Sequence, residues 1–133
     1  MGWKIVRKKI KKKKTTVGIL GLAYKDKTNS VKNSPAIELI KKIKNNKILG
    51  YDPLVKTKKM NLNFNQINDL KKVIKYSDII ILMTNWKNIK KIKINFTNIN
   101  LKKKIILDPY GLLKSFINKN FKEYFTLGTK IEL

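Results

Sequence analysis

The sequence predicts an α/β protein: a Rossmann-like, doubly wound, mostly parallel sheet of about five or six strands with flanking helices. Two observations lead to this fold class. Short apolar blocks recur along the chain and alternate with segments of helical periodicity. Turn residues, chiefly Gly, Asn and Asp-Pro, separate these segments. With 133 residues, of which 42% are hydrophobic, the chain has the size of one domain with a single core.

The first part of the chain has the pattern of a βαβ unit. Residues 17–20 form a short apolar block that ends at a glycine, which predicts a buried strand. A helix is expected over residues 34–45, because Ser34 is placed to cap it and Pro35 suits the first helical position. A second strand follows at residues 47–51. Such a crossover between parallel strands is nearly always right-handed.

The alternation continues to the end of the chain. The apolar run after Asp78 is long enough for a central strand that is buried on both faces. The remaining expected elements are helices at 66–76 and 86–93, a strand at 103–107, a helical turn at 112–118 and an edge strand at 123–127.

The N-terminal segment carries an apolar stripe. Trp3, Val6 and Ile10 recur at spacings of three and four, which is typical of one helix face, with Lys on the other faces. Nothing nearby in the sequence is expected to cover this stripe. Two interpretations stay open: a basic N-terminal arm, or the last turns of a helix whose partner lies in another chain or an upstream domain.

The formal net charge of +24 suggests nucleic acid or an anionic membrane as a partner. Composition offers another explanation, because the basic residues are 31 Lys and one Arg, accompanied by 20 Ile and 15 Asn. These three abundant residues have AT-rich codons, and nucleic-acid readers more often use the planar fork of Arg. We therefore expect no nucleic-acid partner. Binding of RNA or another polyanion stays as the alternative function.

The chain contains neither Cys nor His. Disulfides, thiolate metal sites, thiol nucleophiles and the usual general base are thereby excluded. We expect no catalytic residue and no metal site in this chain. No apolar run approaches the roughly 20 residues of a membrane span, and the N-terminus lacks the apolar centre of a signal peptide. The expectation is a cytoplasmic protein with no membrane partner.

Ligands of open parallel sheets collect beyond the carboxyl ends of the strands. Four segments follow predicted strands with polar or aromatic residues: 21–34, 52–53, 84–86 and 108–111. Each is also compatible with ordinary turn chemistry, or with an aromatic cover of the sheet edge.

The first of these segments is unusually long for a strand-to-helix connection. It offers Lys25, Lys27 and Lys32, two hydroxyls, and the N–H groups of a helix that starts at Ser34. These groups suit an anion such as a phosphate. The glycines do not have the spacing of a dinucleotide fingerprint, and no Walker sequence is present. The residues alone thus predict a Rossmann-like domain that binds a phosphorylated ligand.

The sequence VGILGLAYKDKTNSVKNSPAIELI, residues 17–40, resembles the start of the C-terminal, nucleotide-sugar-binding domain of the UDP-glucose/GDP-mannose dehydrogenase family. The family pattern runs through G-L-A-(F/Y)-K and V-(R/K)-x-S-P-A into a helix. Further similarities follow in family order, at YDP, SDIIILMTNW and IILDPYGLL. The resemblance covers about residues 14–128. It implies that residues 1–13 are the end of a linker helix from a central domain and that 14–133 are the C-terminal domain.

The resemblance implies an activity for the whole enzyme. Family members are NAD-dependent oxidoreductases that convert the C6 hydroxyl of a nucleotide sugar, such as UDP-glucose, to a carboxylate through a Cys-linked thioester. An N-terminal Rossmann domain binds the NAD cofactor, and a central helical domain forms the homodimer. The C-terminal domain closes over the nucleotide half of the substrate.

The resemblance also implies site residues. Tyr24 and Lys25 correspond to the aromatic-Lys pair that contacts the nucleotide sugar, and Lys32 corresponds to a basic residue that reaches toward NAD. Tyr110 stands where many relatives have a substrate-contacting Arg, so the ionic contact there is either lost or replaced by a phenol hydrogen bond.

The NAD domain, the central domain and the nucleophilic Cys are missing from this sequence. A thioester needs a thiol, so the chain by itself is expected to bind without turnover. The expected partners are a UDP-sugar and a separate N-terminal dehydrogenase chain. A fragment and a degenerate remnant are the other interpretations.

Overall fold

The computed structural model of the chain describes residues 2–10, 14–23, 25, 27–57, 62–114 and 121–126. Six parallel strands form one sheet in the order β3-β2-β1-β4-β5-β6. The strands are β1 (Val17–Leu20), β2 (Ile48–Tyr51), β3 (Asn65–Gln66), β4 (Ile79–Leu82), β5 (Ile105–Leu107) and β6 (Glu123–Phe125). The helices are α1 (Gly2–Lys9), α2 (Pro35–Lys42), α3 (Leu70–Tyr76) and α4 (Ile89–Lys93), which continues as a 3-10 turn at Ile94–Phe96. The predicted fold class is confirmed.

The strand order reverses between β1 and β4. The chain builds outward from β1 to β2 and β3, then crosses back to place β4, β5 and β6 on the other side. Leu20 lies in register with both Tyr51 and Leu82, so the three central strands end together. We call the end of the sheet where the strands finish the carboxyl edge, and the opposite end, where the strands begin, the amino edge. A strand-order reversal is where open α/β sheets bind their ligands.

The central strands are buried on both faces, as their continuous apolar sequence predicts. Ile19 and Ile81 pack on the face covered by α1 and α2, whereas Leu20 and Ile80 pack on the face covered by α3 and α4. Successive side chains of a strand point to opposite faces, which explains this division. The sheet therefore holds the carboxyl edge on a core that is closed from both sides.

The N-terminal helix packs against this same domain. Val6 is fully buried and Ile10 nearly so, and both belong to the apolar cluster that includes Phe125 of β6. Lys9 Nζ lies 2.7 Å from Glu123 Oε1 and 5.7 Å from the centre of the Phe125 ring. Val6 and Ile10 are thus covered within this domain, by residues distant in sequence, and not by another chain or an upstream domain. The side chain of Trp3 lies outside the described residues, and the assignment of residues 1–13 to a linker helix stays a prediction.

Helix boundaries differ from the sequence prediction where a polar side chain forms hydrogen bonds with the backbone. The helix expected from residue 66 begins at Leu70, because Asp69 Oδ1 accepts the N–H of Lys71 at 3.0 Å and caps the helix. Gln66 instead pairs in β3, and its side chain donates to Val55 O at 2.6 Å. A two-residue edge strand has too few positions for a period-2 pattern to reveal it.

The other boundaries shift by a few residues. The helix expected at 86–93 begins at Ile89, and the strand expected at 103–107 begins at Ile105. The backbone N–H of Lys104 bonds to Leu101 O in the turn before that strand. A turn occupies 112–114, whereas 115–118 lie outside the described residues.

In the part of the chain that the structure describes, no helix is long and apolar enough to cross a membrane.

Candidate functional site

A buried carboxylate holds two turns together at the carboxyl edge. Asp52 Oδ2 accepts the N–H groups of Leu22 at 2.8 Å and Ala23 at 3.1 Å, in the connection that follows β1. Its other oxygen, Oδ1, accepts the N–H groups of Leu54 at 2.8 Å and Val55 at 2.9 Å. Asp52 is only 8% exposed, so these four bonds satisfy a charge that has little contact with water. The carboxylate thereby fixes where the β1–α2 connection leaves the sheet.

The β4 end anchors the same connection from the other side. Thr84 Oγ1 donates a hydrogen bond to Ala23 O at 3.0 Å, and Thr84 is buried. Gly21 has a positive φ of 99°, and a Cβ placed there would collide with the Thr84 side chain and lie 2.8 Å from its backbone N. Only glycine allows both this backbone conformation and this close approach. The chain therefore leaves β1 in one fixed direction.

The start of α2 is closed by its own cap. The Ser34 hydroxyl donates to Leu22 O at 2.6 Å and accepts the N–H of Ile37 at 3.3 Å, and Ser34 is 2% exposed. Pro35 has no N–H to offer. The predicted contribution of free helical N–H groups to anion binding is therefore corrected: Ser34 already accepts the Ile37 donor. Fewer helical N–H groups are thus available to an anion than the sequence predicts, and the lysine side chains become more important for binding.

The middle of the connection is stiffened by its hydroxyls. Thr28 Oγ1 accepts the N–H of Ser30 at 3.1 Å, and Ser30 Oγ accepts the N–H of Lys32 at 3.2 Å. Each hydroxyl keeps its own O–H as a donor. Lys27 and Asn33 adopt left-handed backbone angles, with φ of 59° and 58°. These local turns set the backbone from which the lysine side chains project.

The predicted cationic residues lie in this connection with exposed side chains. Lys25 follows the anchored Leu22-Ala23 pair, and Lys32 follows the Ser30 turn. Tyr24 lies outside the described residues. Both lysines thus belong to a segment that leaves the carboxyl edge after β1 and returns at the start of α2.

A second buried carboxylate organises the turn after β5. Asp108 accepts the N–H groups of Leu112 at 2.9 Å and Leu113 at 2.8 Å, and the Tyr124 hydroxyl donates to it at 2.6 Å. Asp108 is fully buried. Burial, together with the bond to Asp108, raises the pKa of Tyr124 well above its ordinary range. Asp108 therefore has a structural role, and the candidate residue Tyr110 lies on the turn that Asp108 stabilises.

Tyr110 is 49% exposed on that turn. One strand, β4, separates β1 from β5, so the starts of the two turns lie roughly 10 Å apart at the usual strand spacing. The fold thus places Lys25, Lys32 and Tyr110 at one edge. Trp86 is different, because it is 6% exposed and packs in the α3–α4 core.

Sequence reasoning selected the segments but not the anchors within them. An Asp or Thr just after a strand often accepts a hydrogen bond from nearby backbone or donates one to it, and this signal could have found Asp52 and Thr84. No local signal connects Tyr124 to Asp108, since 16 residues separate them.

Two further features bear on the chemistry of the chain. A cavity of about 620 Å³ lies beside the β3 strand, and its lining includes Leu49, Thr57 and Phe64 but none of the candidate lysines. Among the described residues, no group of three or more acidic side chains could hold a metal ion. The exposed lysines and the hydroxyls of the β1–α2 connection make the candidate site suited to an anionic ligand.

The fold and the site together define a doubly wound α/β domain with an anion-suited turn at its strand-order reversal. Residues 18–115 match the family model described as "UDP-glucose/GDP-mannose dehydrogenase family, UDP binding domain". The chain belongs to the UDP-glucose/GDP-mannose dehydrogenase family. The resemblance inferred from the sequence motifs is confirmed.

Curated relatives are dehydrogenases that are several times longer. A UDP-glucose 6-dehydrogenase of Rickettsia bellii is 32% identical over 122 residues, which are 86% of this chain and 28% of the relative. A UDP-N-acetyl-D-mannosamine dehydrogenase of Pyrococcus horikoshii is 29% identical over 107 residues, 79% of this chain and 24% of the relative. The chain thus spans about a quarter of the length of these proteins.

Solved structures agree on the fold. A UDP-glucose dehydrogenase from Pyrobaculum islandicum superposes with a TM-score of 0.65 at 19% identity, over 84% of this chain and 24% of that one. This likeness shows the fold alone.

Proposed function

We propose that the chain is the nucleotide-sugar-binding domain of a UDP-glucose 6-dehydrogenase-like oxidoreductase and that it binds the UDP part of the substrate at the carboxyl edge. The observation that carries this proposal is the family match over the segment that contains the anchored, lysine-bearing β1–α2 connection. The domain division at residue 14, the cytoplasmic location and the particular sugar belong to the same proposal.

The side chains of the connection have distinct parts in this proposal. Lys25 supplies a positive charge and donors to the diphosphate or to sugar oxygens. Tyr24 offers a ring face and a hydroxyl beside the sugar, and Tyr110 offers a phenol where an Arg would make an ionic contact. Asp52 and Thr84 keep the backbone of the connection in place, so that binding does not have to order it first.

NAD is the cofactor that the family implies, and it supplies a hydride acceptor when bound. The β1–α2 connection is suited only to a peripheral contact with NAD, because it has no glycine-rich phosphate-binding turn and Ser34 caps the start of α2. We propose that Lys32, whose side chain is exposed, reaches toward NAD that is held mainly by an N-terminal domain.

Turnover in this proposal needs groups that the sequence does not contain. Oxidation through a thioester requires a thiol, and the chain has no Cys. A separate N-terminal dehydrogenase chain, and a homodimer formed through its central domain, would provide the remaining parts.

Isothermal titration with UDP and UDP-glucose tests the proposal. We expect saturable binding by the wild type and a roughly tenfold weaker Kd for Lys25→Gln, since a hydrogen bond to a charged group contributes about 1.5 kcal/mol. Lys44→Gln is the matched control, because Lys44 is also exposed but lies between α2 and β2, at the amino edge.

Salt distinguishes this proposal from the polyanion alternative. Binding of RNA or another polyanion by scattered lysines should fall steeply with salt and be indifferent to nucleotide identity. A folded wild type that shows no UDP binding, or an equal loss in both variants, would refute the site assignment.

A further inference from the structure

A basic pocket lies at the opposite end of the strands from the candidate nucleotide site. It has a volume of about 400 Å³ and is lined by Lys71, Lys75, Asn98, Ile99, Asn100 and Lys104. Lys104 directly precedes β5, and Lys75 stands near the end of α3, whose chain then enters β4. The pocket is therefore at the amino edge, one strand length away from the turns that carry Lys25 and Tyr110.

The pocket contains one lysine that the fold holds in place. Lys104 is 9% exposed, and its Nζ donates to Lys75 O at 2.8 Å and to Ser77 O at 2.6 Å. These bonds use two of its three protons and satisfy carbonyls at the end of α3. A lysine that is fixed by two backbone acceptors loses little side-chain freedom when a further acceptor arrives.

The positive charge of the pocket is not balanced by its lining. Among the residues that the structure describes, no Asp or Glu lines it. Asp78 acts on Lys104, where it opposes the lowering of the pKa by burial, and its Oδ2 accepts the N–H of Thr16 at 2.8 Å. Asp69, which caps α3, accepts the backbone N–H of Lys71 at 3.0 Å. Burial is the larger effect, and it lowers the pKa of Lys104.

The remaining lining groups are suited to an oxyanion. Lys71 and Lys75 are exposed and stand four residues apart, so their like charges share one face of α3. Asn100 Oδ1 accepts the N–H of Lys102 at 3.1 Å, which leaves its NH₂ group as a donor. Three ammonium groups and amide donors around a small cavity match the acceptors of a phosphate group.

We propose that this pocket, formed by Lys71, Lys75 and Lys104 with Asn98 and Asn100, binds a phosphate group. The group can belong to inorganic phosphate or to the backbone of a single-stranded nucleic acid, since both present the same oxygens. The site is independent of UDP binding at the carboxyl edge, because the two sites share no residue and lie at opposite strand ends.

The test is an NMR titration of the ¹⁵N-labelled full chain with inorganic phosphate and, separately, with a short oligouridylate. Site-resolved amide shifts are needed, because a chain of charge +24 attracts anions everywhere. We expect saturable shifts at Lys71, Asn98 and Asn100. Saturation by free phosphate identifies a small-anion site, and a much tighter, salt-sensitive response to the oligonucleotide identifies a backbone-phosphate site; both support the proposal.

The double variant Lys71→Gln/Lys75→Gln should weaken phosphate binding about tenfold or more, given the usual strength of hydrogen bonds between charged groups. Lys4→Gln/Lys8→Gln removes the same charge at the same spacing from exposed positions of α1 and is the control. All four positions are exposed, so both variants should keep the wild-type melting temperature and UDP affinity. Uniform shifts over all lysine-bearing segments, or equal weakening in the two variants, would overturn the proposal.

Discussion

Replacing Asp52 with Asn should lower the free energy of unfolding more than any other isosteric change at the site. Four backbone N–H groups converge on the Asp52 carboxylate, two on each oxygen. The Asn amide keeps one acceptor oxygen but turns an NH₂ group toward two N–H donors. Two charge-assisted bonds are then lost, each contributing about 1.5 to 3 kcal/mol. We expect a loss of about 3 to 6 kcal/mol in the free energy of unfolding, which is a large part of the stability of a small domain.

Urea unfolding followed by circular dichroism measures this loss, and Asp69→Asn is the matched control. Asp69 also accepts backbone N–H groups, but it is exposed and caps only α3, and Asn is as good a cap as Asp. The control should cost less than about 1 kcal/mol. If Asp52→Asn costs no more than Asp69→Asn, then the carboxylate does not hold the two turns and the account of the site anchor is wrong.

Three further substitutions test other contacts. Gly21→Ala should lower the free energy of unfolding by about 3 kcal/mol or more, because of the positive φ at this position and the collision with Thr84. A thermal melt measures this loss, and a change below about 1 kcal/mol would contradict the close approach. Val6→Ala should cost about 2 kcal/mol in urea unfolding, because Val6 is fully buried, and no effect would mean that α1 does not dock. Tyr124→Phe should cost about 1.5 kcal/mol at neutral pH through the lost bond to Asp108. The raised pKa of Tyr124 means that the folded chain keeps the phenol proton above pH 10, whereas the unfolded chain releases it. The advantage of the wild type over Tyr124→Phe should therefore shrink as pH rises above 10, and a constant difference would contradict the bond.

The sheet was predictable because its central strands carry a simple signal. Residues 17–20 and 79–82 are short, continuous apolar blocks, and both became strands that are buried on two faces. Ser34 and Pro35 fixed the start of α2 through local chemistry that acts within a few residues. Local patterns of this kind need no knowledge of the rest of the fold.

Contacts between distant parts of the chain were not predictable. The docking of α1 depends on Phe125 and Glu123, more than a hundred residues away in sequence. The same limit applies to β3, whose pairing depends on β2 rather than on its own two residues. Sequence periodicity shows that a face is apolar but not which surface will cover it.

The site was predictable as a segment and only partly as a geometry. The length and lysine content of the β1–α2 connection pointed to an anion, and the structure places Lys25 and Lys32 there with exposed side chains. The expected help from free helical N–H groups is reduced, because Ser34 accepts the Ile37 N–H itself and Pro35 has no N–H. The parts of Tyr24 and Tyr110 in binding stay predictions.

The most direct measurement is a map of amide shifts on the ¹⁵N-labelled chain during titration with UDP, at about 1 M salt, where the Debye length is only about 3 Å. Site binding predicts saturable shifts confined to residues 22–33 and to the turn around Tyr110. Shifts that spread evenly over the lysine-bearing segments, or that centre on the cavity beside β3, would contradict nucleotide binding at the carboxyl edge.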